Sequence, residues 1–128
     1  MLSRRAVFIS LAALALFAGP ARAFEFHPYD PAAVDKAIAS GKPVVVHVYA
    51  PWCLQCHMQK SILEGLATDK KYDGIKFFRV DYDNQKDIVA KFDCPRSTVI
   101  AFKGGKELGR MSWGMTQSSV TDVLNKAL

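Results

Sequence analysis

The sequence predicts an α/β domain in which helices cover a mixed central β-sheet. Predicted helices separate the first three predicted strands, and such crossover connections favour parallel pairing. The pair Gly104-Gly105 between the last two strands indicates a hairpin, which adds an antiparallel edge. The chain has 128 residues, of which 50% are hydrophobic and 23% charged, which is the size and balance of one globular domain.

The predicted elements follow in the order α-β-α-β-α-β-β-α. Helical spacing, capping residues or a glycine stop predict helices over 31–40, 53–70, 85–92 and from a cap at Thr116 or Ser118 through Ala127. β-Branched and aromatic runs predict strands over 43–50, 75–81, 97–102 and 108–113. The run 43–50 (PVVVHVYA) is too apolar for a half-exposed strand, so it should be a buried central strand.

The N-terminal segment has the pattern of an export signal. Arg4-Arg5 supplies positive charge, Val7–Ala18 is uncharged and apolar, and Ala21-Arg22-Ala23 fits the small-x-small cleavage rule. The apolar run is shorter than the ~20 residues that span a bilayer, which makes an uncleaved anchor the less favoured alternative. We predict a cleaved signal peptide over 1–23, exported by the general or the twin-arginine route, and a periplasmic domain over 24–128.

The charge of the predicted mature domain argues against a nucleic-acid partner. The full chain carries 17 basic and 12 acidic side chains, and three of the arginines lie in the predicted signal peptide. Without that segment 14 basic and 12 acidic side chains remain, so the formal charge falls from +5 to +2. A nucleic-acid-binding domain needs a clustered basic patch, and the charge balance gives it little support.

The cysteine pattern indicates redox chemistry or metal binding rather than a disulfide scaffold. Small exported domains held by disulfides usually carry four or more cysteines in even number, whereas this chain has three: Cys53, Cys56 and Cys94. A bridge between Cys53 and Cys56 would close a very small loop and stabilise the fold little. We expect Cys94 to act as a small packing residue.

The predicted position of Cys53 explains how it could react. It lies where the buried strand gives way to a helix, and the unpaired N–H groups and dipole of a helix N-terminus favour a thiolate. Such sites lower a cysteine pKa from ~8.5 to roughly 3.5–7.5. We therefore predict that Cys53 attacks a substrate disulfide and that Cys56, one turn further along, resolves the mixed disulfide.

At these residues the chain resembles the thioredoxin family, along essentially the whole of 24–128. The matching stretches are Val44–Ala50 leading into Trp52-Cys53-Leu54-Gln55-Cys56, then Arg79–Asp83, Thr98–Lys103 with its Gly-Gly turn, and Gly114 before the last helix. The resemblance implies a thioredoxin fold and thiol–disulfide exchange. It makes Cys53 the nucleophile, Cys56 the resolving cysteine and Trp52 the adjacent aromatic residue, and places Trp113-Gly114 on the rim that binds an extended substrate segment.

Two departures from the family concern the chemistry of the cysteines. Leu54-Gln55 replaces the Gly-Pro typical of cytoplasmic thioredoxins, so the redox potential is not transferable. His47 occupies the position of a buried acidic residue that relays a proton to the resolving cysteine. An imidazole can serve as such a relay, and a hydrogen-bonded core histidine is the alternative interpretation.

A third departure concerns substrate docking. Ser97 aligns with the family's cis-proline, and the nearest proline, Pro95, lies two residues earlier. We predict that Ser97 lines the docking groove. We make no prediction of whether the Arg96–Ser97 peptide bond is cis or trans, because a non-proline cis bond costs ~2.5–4 kcal/mol. Arg96, beside it, is a candidate contact for an acidic partner.

These observations predict a periplasmic thiol–disulfide oxidoreductase. We expect it to reduce protein disulfides, and action as an oxidant or isomerase is the less favoured alternative. The expected partners are disulfide-containing exported proteins and a membrane thiol-electron donor. We expect a monomer that needs no bound cofactor.

Two alternatives use the same cysteines. A copper or zinc module would combine Cys53 and Cys56 with His57 or His47. Residues 53–57 also match the C-x-x-C-H pattern of c-type haem attachment, with Met111 or Met115 as an axial ligand. The haem alternative is less favoured, because small c-type cytochromes are mainly helical and this motif follows a valine-rich strand.

Overall fold

The computed structural model describes residues 24–128, and the predicted signal peptide over 1–23 lies outside them. Its strands are β1 (Phe26–Pro28), β2 (Val44–Tyr49), β3 (Lys76–Asp81), β4 (Thr98–Lys103) and β5 (Lys106–Ser112). Its α-helices are α1 (Pro31–Ala39), α2 (Leu54–Leu66), α3 (Lys86–Phe92) and α4 (Gln117–Asn125), with a 3-10 helix at Lys70–Tyr72. The strands form one mixed sheet in the order β1-β3-β2-β4-β5, which confirms the predicted fold class.

The direction of β4 differs from the prediction. We expected the helix-linked strands to be parallel, but β4 is antiparallel to β2 and begins with Thr98 beside Val48, near the end of β2. Because β2 and β3 are parallel, the chain enters β4 from the same end of the sheet at which β3 stops.

The sequence prediction also lacks β1 and the 3-10 helix. β1 has only three residues and ends at Pro28, which is too short for a visible alternation and is tolerated because β1 is an edge strand. Helix α2 ends at Leu66, short of the predicted residue 70. There the Asp69 carboxylate accepts a hydrogen bond from the Lys71 N–H (3.0 Å) and caps a new turn instead.

The sheet is packed on both faces, and β2 contributes to both. Val45 packs in the cluster that includes residues of α2 and α4, whereas Val44, Val46 and Val48 pack with residues of α1 and α3. All four valines are fully buried, which confirms the predicted central strand.

The structure confirms the predicted turn between β4 and β5 and the predicted N-cap of α4. Gly104 and Gly105 link β4 to β5 with φ angles of +63° and +79°, as a type I′ hairpin turn requires. Thr116 is the N-cap of α4 and forms a capping box with Ser119. Within residues 24–128, none of the helices is long and apolar enough to cross a membrane.

Candidate active site

The two neighbouring cysteines lie at the junction of β2 and α2. A tight turn after β2, closed by the Cys53 N–H donating to the Ala50 carbonyl (3.1 Å), makes Cys53 the N-cap residue of α2. Its sulfur accepts a hydrogen bond from the Cys56 N–H at 3.2 Å. Cys53 Sγ therefore sits at the positive end of the helix dipole, where a thiolate is favoured.

The two sulfurs differ in their electrostatics. Both cysteines are free thiols and both are buried, with 2% of Cys53 and 0% of Cys56 exposed. Burial works to raise the pKa of Cys53, but hydrogen bonds from Cys56, Ser97 and Arg96 outweigh it and lower the pKa. Burial and the hydrogen bond with Cys53 raise the pKa of Cys56. This difference suits an attacking thiolate at Cys53 and a protonated thiol at Cys56.

Ser97 lies opposite Cys53, with its hydroxyl oxygen 3.6 Å from the Cys53 sulfur. None of the peptide bonds over 24–128 is cis, so Ser97 occupies the aligned position with a trans bond and Pro95 does not replace it. Its φ of 60° lies in the left-handed region, which is uncommon for a residue other than glycine. Its N–H donates to the Val48 carbonyl at 2.9 Å, which ties the loop to the end of β2.

Gln59 is a site residue that the sequence analysis missed. It is fully buried on α2, and its side-chain amide donates to the carbonyls of Ser97 (3.0 Å) and Gly114 (2.9 Å). Gln59 thus connects the two loops on which the resemblance placed substrate binding. The available signal was a polar residue on the buried face of α2, in line with Cys56, Leu63 and Leu66.

The loop at Trp113 and Gly114 packs directly against the Ser97 loop. The Trp113 N–H donates to the Ser97 carbonyl at 2.9 Å. A Cβ atom on Gly114 would lie 2.6 Å from Met111 Sδ and 2.6 Å from Ser119 Oγ. A side chain at 114 would therefore force Met111 and Ser119 to move, which favours glycine in this loop.

His47 lies in the interior and is engaged on both ring nitrogens. Its Nε2 lies 3.0 Å from Gln59 Oε1, an acceptor, so Nε2 carries the proton and Nδ1 accepts from Arg79 Nε at 3.4 Å. Burial, followed by the charge of Arg79, lowers the pKa of His47 from 6.5 to about 3. The imidazole is thus a poor proton acceptor near neutral pH, and its bonds lead to Gln59 and Arg79 rather than to Cys56. This geometry favours the alternative of a hydrogen-bonded core histidine, and the relay role stays a prediction.

Two tryptophans and an arginine form a stack beside Cys53. The Arg96 guanidinium carbon lies 4.6 Å from the ring centre of Trp52 and 4.8 Å from that of Trp113, which is the range of a cation–π contact. The Trp52 indole N–H donates to the Asp83 carboxylate at 3.0 and 3.1 Å, which fixes the ring. Trp52 is 58% and Trp113 40% exposed, so the stack is open to a partner.

Two side chains that the metal and haem alternatives would use, His57 and Met111, make other contacts. Among residues 24–128, no group of three His, Cys, Asp or Glu side chains is arranged to hold a metal ion. His57 Nε2 lies 2.6 Å from the Pro51 carbonyl oxygen, and Met111 Sδ accepts from the Gly114 N–H at 3.1 Å.

The third cysteine, Cys94, lies apart from this pair. It is half-buried and packs against the apolar cluster that includes Ile100.

Comparison with known proteins gives a consistent result. The thioredoxin family model matches residues 26–126. Thioredoxin-1 of Saccharomyces cerevisiae is 35% identical over 78 residues, which are 60% of this chain and 74% of that protein. Protein disulfide-isomerase erp38 of Neurospora crassa is 30% identical over 91 residues, which are 61% of this chain and 25% of that protein. The crystal structure of Trxlp from Edwardsiella tarda EIB202 has a TM-score of 0.74 at 35% identity, covering 78% of this chain and 98% of that chain.

A mixed sheet that delivers a Cys-x-x-Cys pair to a helix N-terminus, with an activated first sulfur, defines a thiol–disulfide oxidoreductase. The sequence and structural matches extend over almost all of the described residues. The chain belongs to the thioredoxin family.

Proposed function

We propose that this protein reduces disulfides of exported proteins in the periplasm through the Cys53/Cys56 couple. The observation that carries the exchange chemistry is the place of Cys53 at the N-terminus of α2, where its sulfur accepts from the Cys56 N–H at 3.2 Å. The lowered pKa of Cys53 and the raised pKa of Cys56 agree with this geometry. The thioredoxin resemblance along the whole domain supports the reducing direction.

The reaction has two exchange steps. The Cys53 thiolate attacks one sulfur of the substrate disulfide, the substrate S–S bond breaks, and the departing substrate thiolate takes a proton from solvent. Cys56 then loses its proton and attacks Cys53 Sγ, which releases the second substrate sulfur. The substrate gains two electrons and two protons, and the protein is left with a Cys53–Cys56 disulfide.

The N-terminal sequence supports the proposed location, and the location in turn favours a membrane electron source. The segment 1–23 has the charge, length and cleavage pattern of a signal peptide. Soluble nicotinamide-dependent reductases are not expected outside the cytoplasm, so a membrane thiol-electron donor would restore the dithiol. Cell fractionation of the full chain, with the mature N-terminus determined by mass spectrometry, tests the location. Recovery of an unprocessed chain in the cytoplasm would contradict it.

The face around Cys53 is suited to a protein substrate. Large apolar side chains are exposed on the elements that carry the cysteines and the rim: Trp52, Leu54, Met58, Trp113 and Met115. The monomeric protein would bind an extended segment across this face, with Arg96 as the contact for an acidic side chain.

A redox titration tests the proposed direction. The mature domain is equilibrated in glutathione buffers, and the fluorescence of Trp52 and Trp113 reports the state of the couple. A reversible two-electron transition near about −270 mV is the expected result for a reductant, whereas a potential above about −180 mV would mark an oxidant. Absence of a transition, with the thiols blocked by a metal or haem, would contradict the disulfide couple itself.

A further inference from the structure

We propose that Ser97 is a catalytic residue, whose hydroxyl donates a hydrogen bond to the Cys53 thiolate. The Ser97 oxygen lies 3.6 Å from the Cys53 sulfur, and both groups are buried. A proline in this position has no hydroxyl and could not make the contact. The proposal rests on thiol–disulfide exchange at Cys53 and not on the direction of electron flow.

The backbone holds the hydroxyl in place. The Ser97 N–H donates to Val48, and its carbonyl accepts from the Trp113 N–H and from the side-chain amide of Gln59. These contacts fix a left-handed backbone conformation that costs energy in a non-glycine residue and persists only when the surroundings determine it. With both main-chain polar groups engaged, the hydroxyl is the group that Ser97 can offer to the sulfur.

A buried thiolate needs hydrogen-bond donors, and the Ser97 hydroxyl is one of them. A thiolate buried away from water loses its hydration and depends on the donors around it. Besides Ser97, the Cys56 N–H donates to the Cys53 sulfur at 3.2 Å, and hydrogen bonds from the Cys56 thiol and Arg96 also favour the thiolate form of Cys53. The hydroxyl therefore stabilises the Cys53 thiolate before its attack. It donates a hydrogen bond throughout and gives up no proton.

Two variants separate the hydroxyl from the backbone. Ser97→Gly removes the hydroxyl and also relieves the left-handed strain, so we expect it to fold at least as well as the wild type. Ser97→Ala removes the same hydroxyl but keeps a Cβ atom. Ser112→Ala is the matched control, because its hydroxyl pairs with Thr98 (2.8 Å) instead of a cysteine.

The measurement is a titration of the thiolate by its ultraviolet absorbance in the reduced mature domain. In both Ser97 variants the midpoint for Cys53 should move to higher pH, and the thiolate fraction below that midpoint should fall by about fivefold, the effect of one net hydrogen bond. Ser112→Ala should titrate like the wild type.

A Ser97→Gly domain that folds normally and titrates like the wild type would overturn the proposal. So would an equal displacement in Ser112→Ala, because the effect would then be structural. The titration needs no substrate, so its result is independent of whether the protein reduces exported proteins, and failure of that function leaves the test of Ser97 intact.

Discussion

The side-chain amide of Gln59 donates a 3.0 Å hydrogen bond to the backbone carbonyl of Ser97. The same amide reaches the carbonyl of Gly114, and its oxygen accepts from His47. One buried side chain therefore fixes the spacing of the two loops beside the cysteines and connects them to β2. Ser97, at one end of this network, is the residue that we align with the family's proline.

Gln59→Leu tests how much this hydrogen-bond network contributes to the free energy of unfolding. The substitution conserves size but leaves buried polar groups without their partner, at about 1–3 kcal/mol for each group, so we expect the free energy of unfolding to fall by about 2–4 kcal/mol. Urea denaturation measures the loss. The control is Gln117→Leu, an exposed position at the start of α4, where a change within about 0.5 kcal/mol is expected. Similar losses in both variants would contradict the structural role of Gln59.

The buried His47 predicts that acid weakens the fold. Its pKa is about 3 in the folded protein, against 6.5 for an ordinary histidine. Between these values the unfolded chain binds the additional proton, so the free energy of unfolding falls as pH drops, by at most about 1.4 kcal/mol per pH unit. His47→Gln should be less stable at neutral pH but show a shallower decline across that window in urea titrations.

The control for this experiment is Gln117→Leu, at an exposed position that carries no titratable group. It should keep the wild-type slope. A wild-type slope in His47→Gln would exclude His47 as the source. If His47 instead relayed a proton to Cys56, the same variant would resolve mixed disulfides more slowly near neutral pH, which stopped-flow measurement would detect.

The different roles of Cys53 and Cys56 predict that their serine variants stop the reaction at different steps. Cys53→Ser should abolish turnover of a synthetic peptide disulfide, because the attacking sulfur is gone. Cys56→Ser should still attack and then accumulate a mixed disulfide, detectable by mass spectrometry, because nothing resolves it. Cys94→Ser should turn over normally, since Cys94 packs on the other side of the sheet from α2. Normal turnover by Cys53→Ser would refute the mechanism.

The local parts of this site could be predicted from sequence, and the long-range parts could not. Cys53 and Cys56 were identifiable because an apolar strand followed by a helix fixes their place through neighbouring residues alone. Gln59 bonds to residues 38 and 55 positions away, and no periodic pattern shows such partners. The antiparallel β4 was missed for a similar reason, because the alternation of helices and strands along the chain does not fix the direction in which a strand pairs with a distant one.

Restoring a proline at position 97 should destabilise this protein. Ser97 has φ of 60°, whereas proline requires about −65°. The substitution also removes the N–H that donates to Val48. We expect Ser97→Pro to lower the free energy of unfolding by more than about 1 kcal/mol in urea denaturation, the penalty for proline in an incompatible conformation. Ser118→Pro, at the exposed second residue of α4, is the comparison, because proline is tolerated in a first helical turn. Equal or greater stability of Ser97→Pro would mean that the loop adopts another conformation.

Arg96 should give the protein a preference for acidic substrates. Its guanidinium is held between Trp52 and Trp113, and among residues 24–128 it forms no salt bridge, so a substrate carboxylate beside the disulfide can pair with it. We expect kcat/KM for a peptide disulfide flanked by glutamate to exceed that for its glutamine counterpart by about two- to fivefold at low salt, the scale of a solvent-exposed ion pair. The preference should shrink at high salt and disappear in Arg96→Gln. Lys103→Gln, which removes one positive charge at the opposite end of β4, should retain it. Loss of the preference in both variants would assign it to net charge, and a preference that survives in Arg96→Gln would place the contact elsewhere.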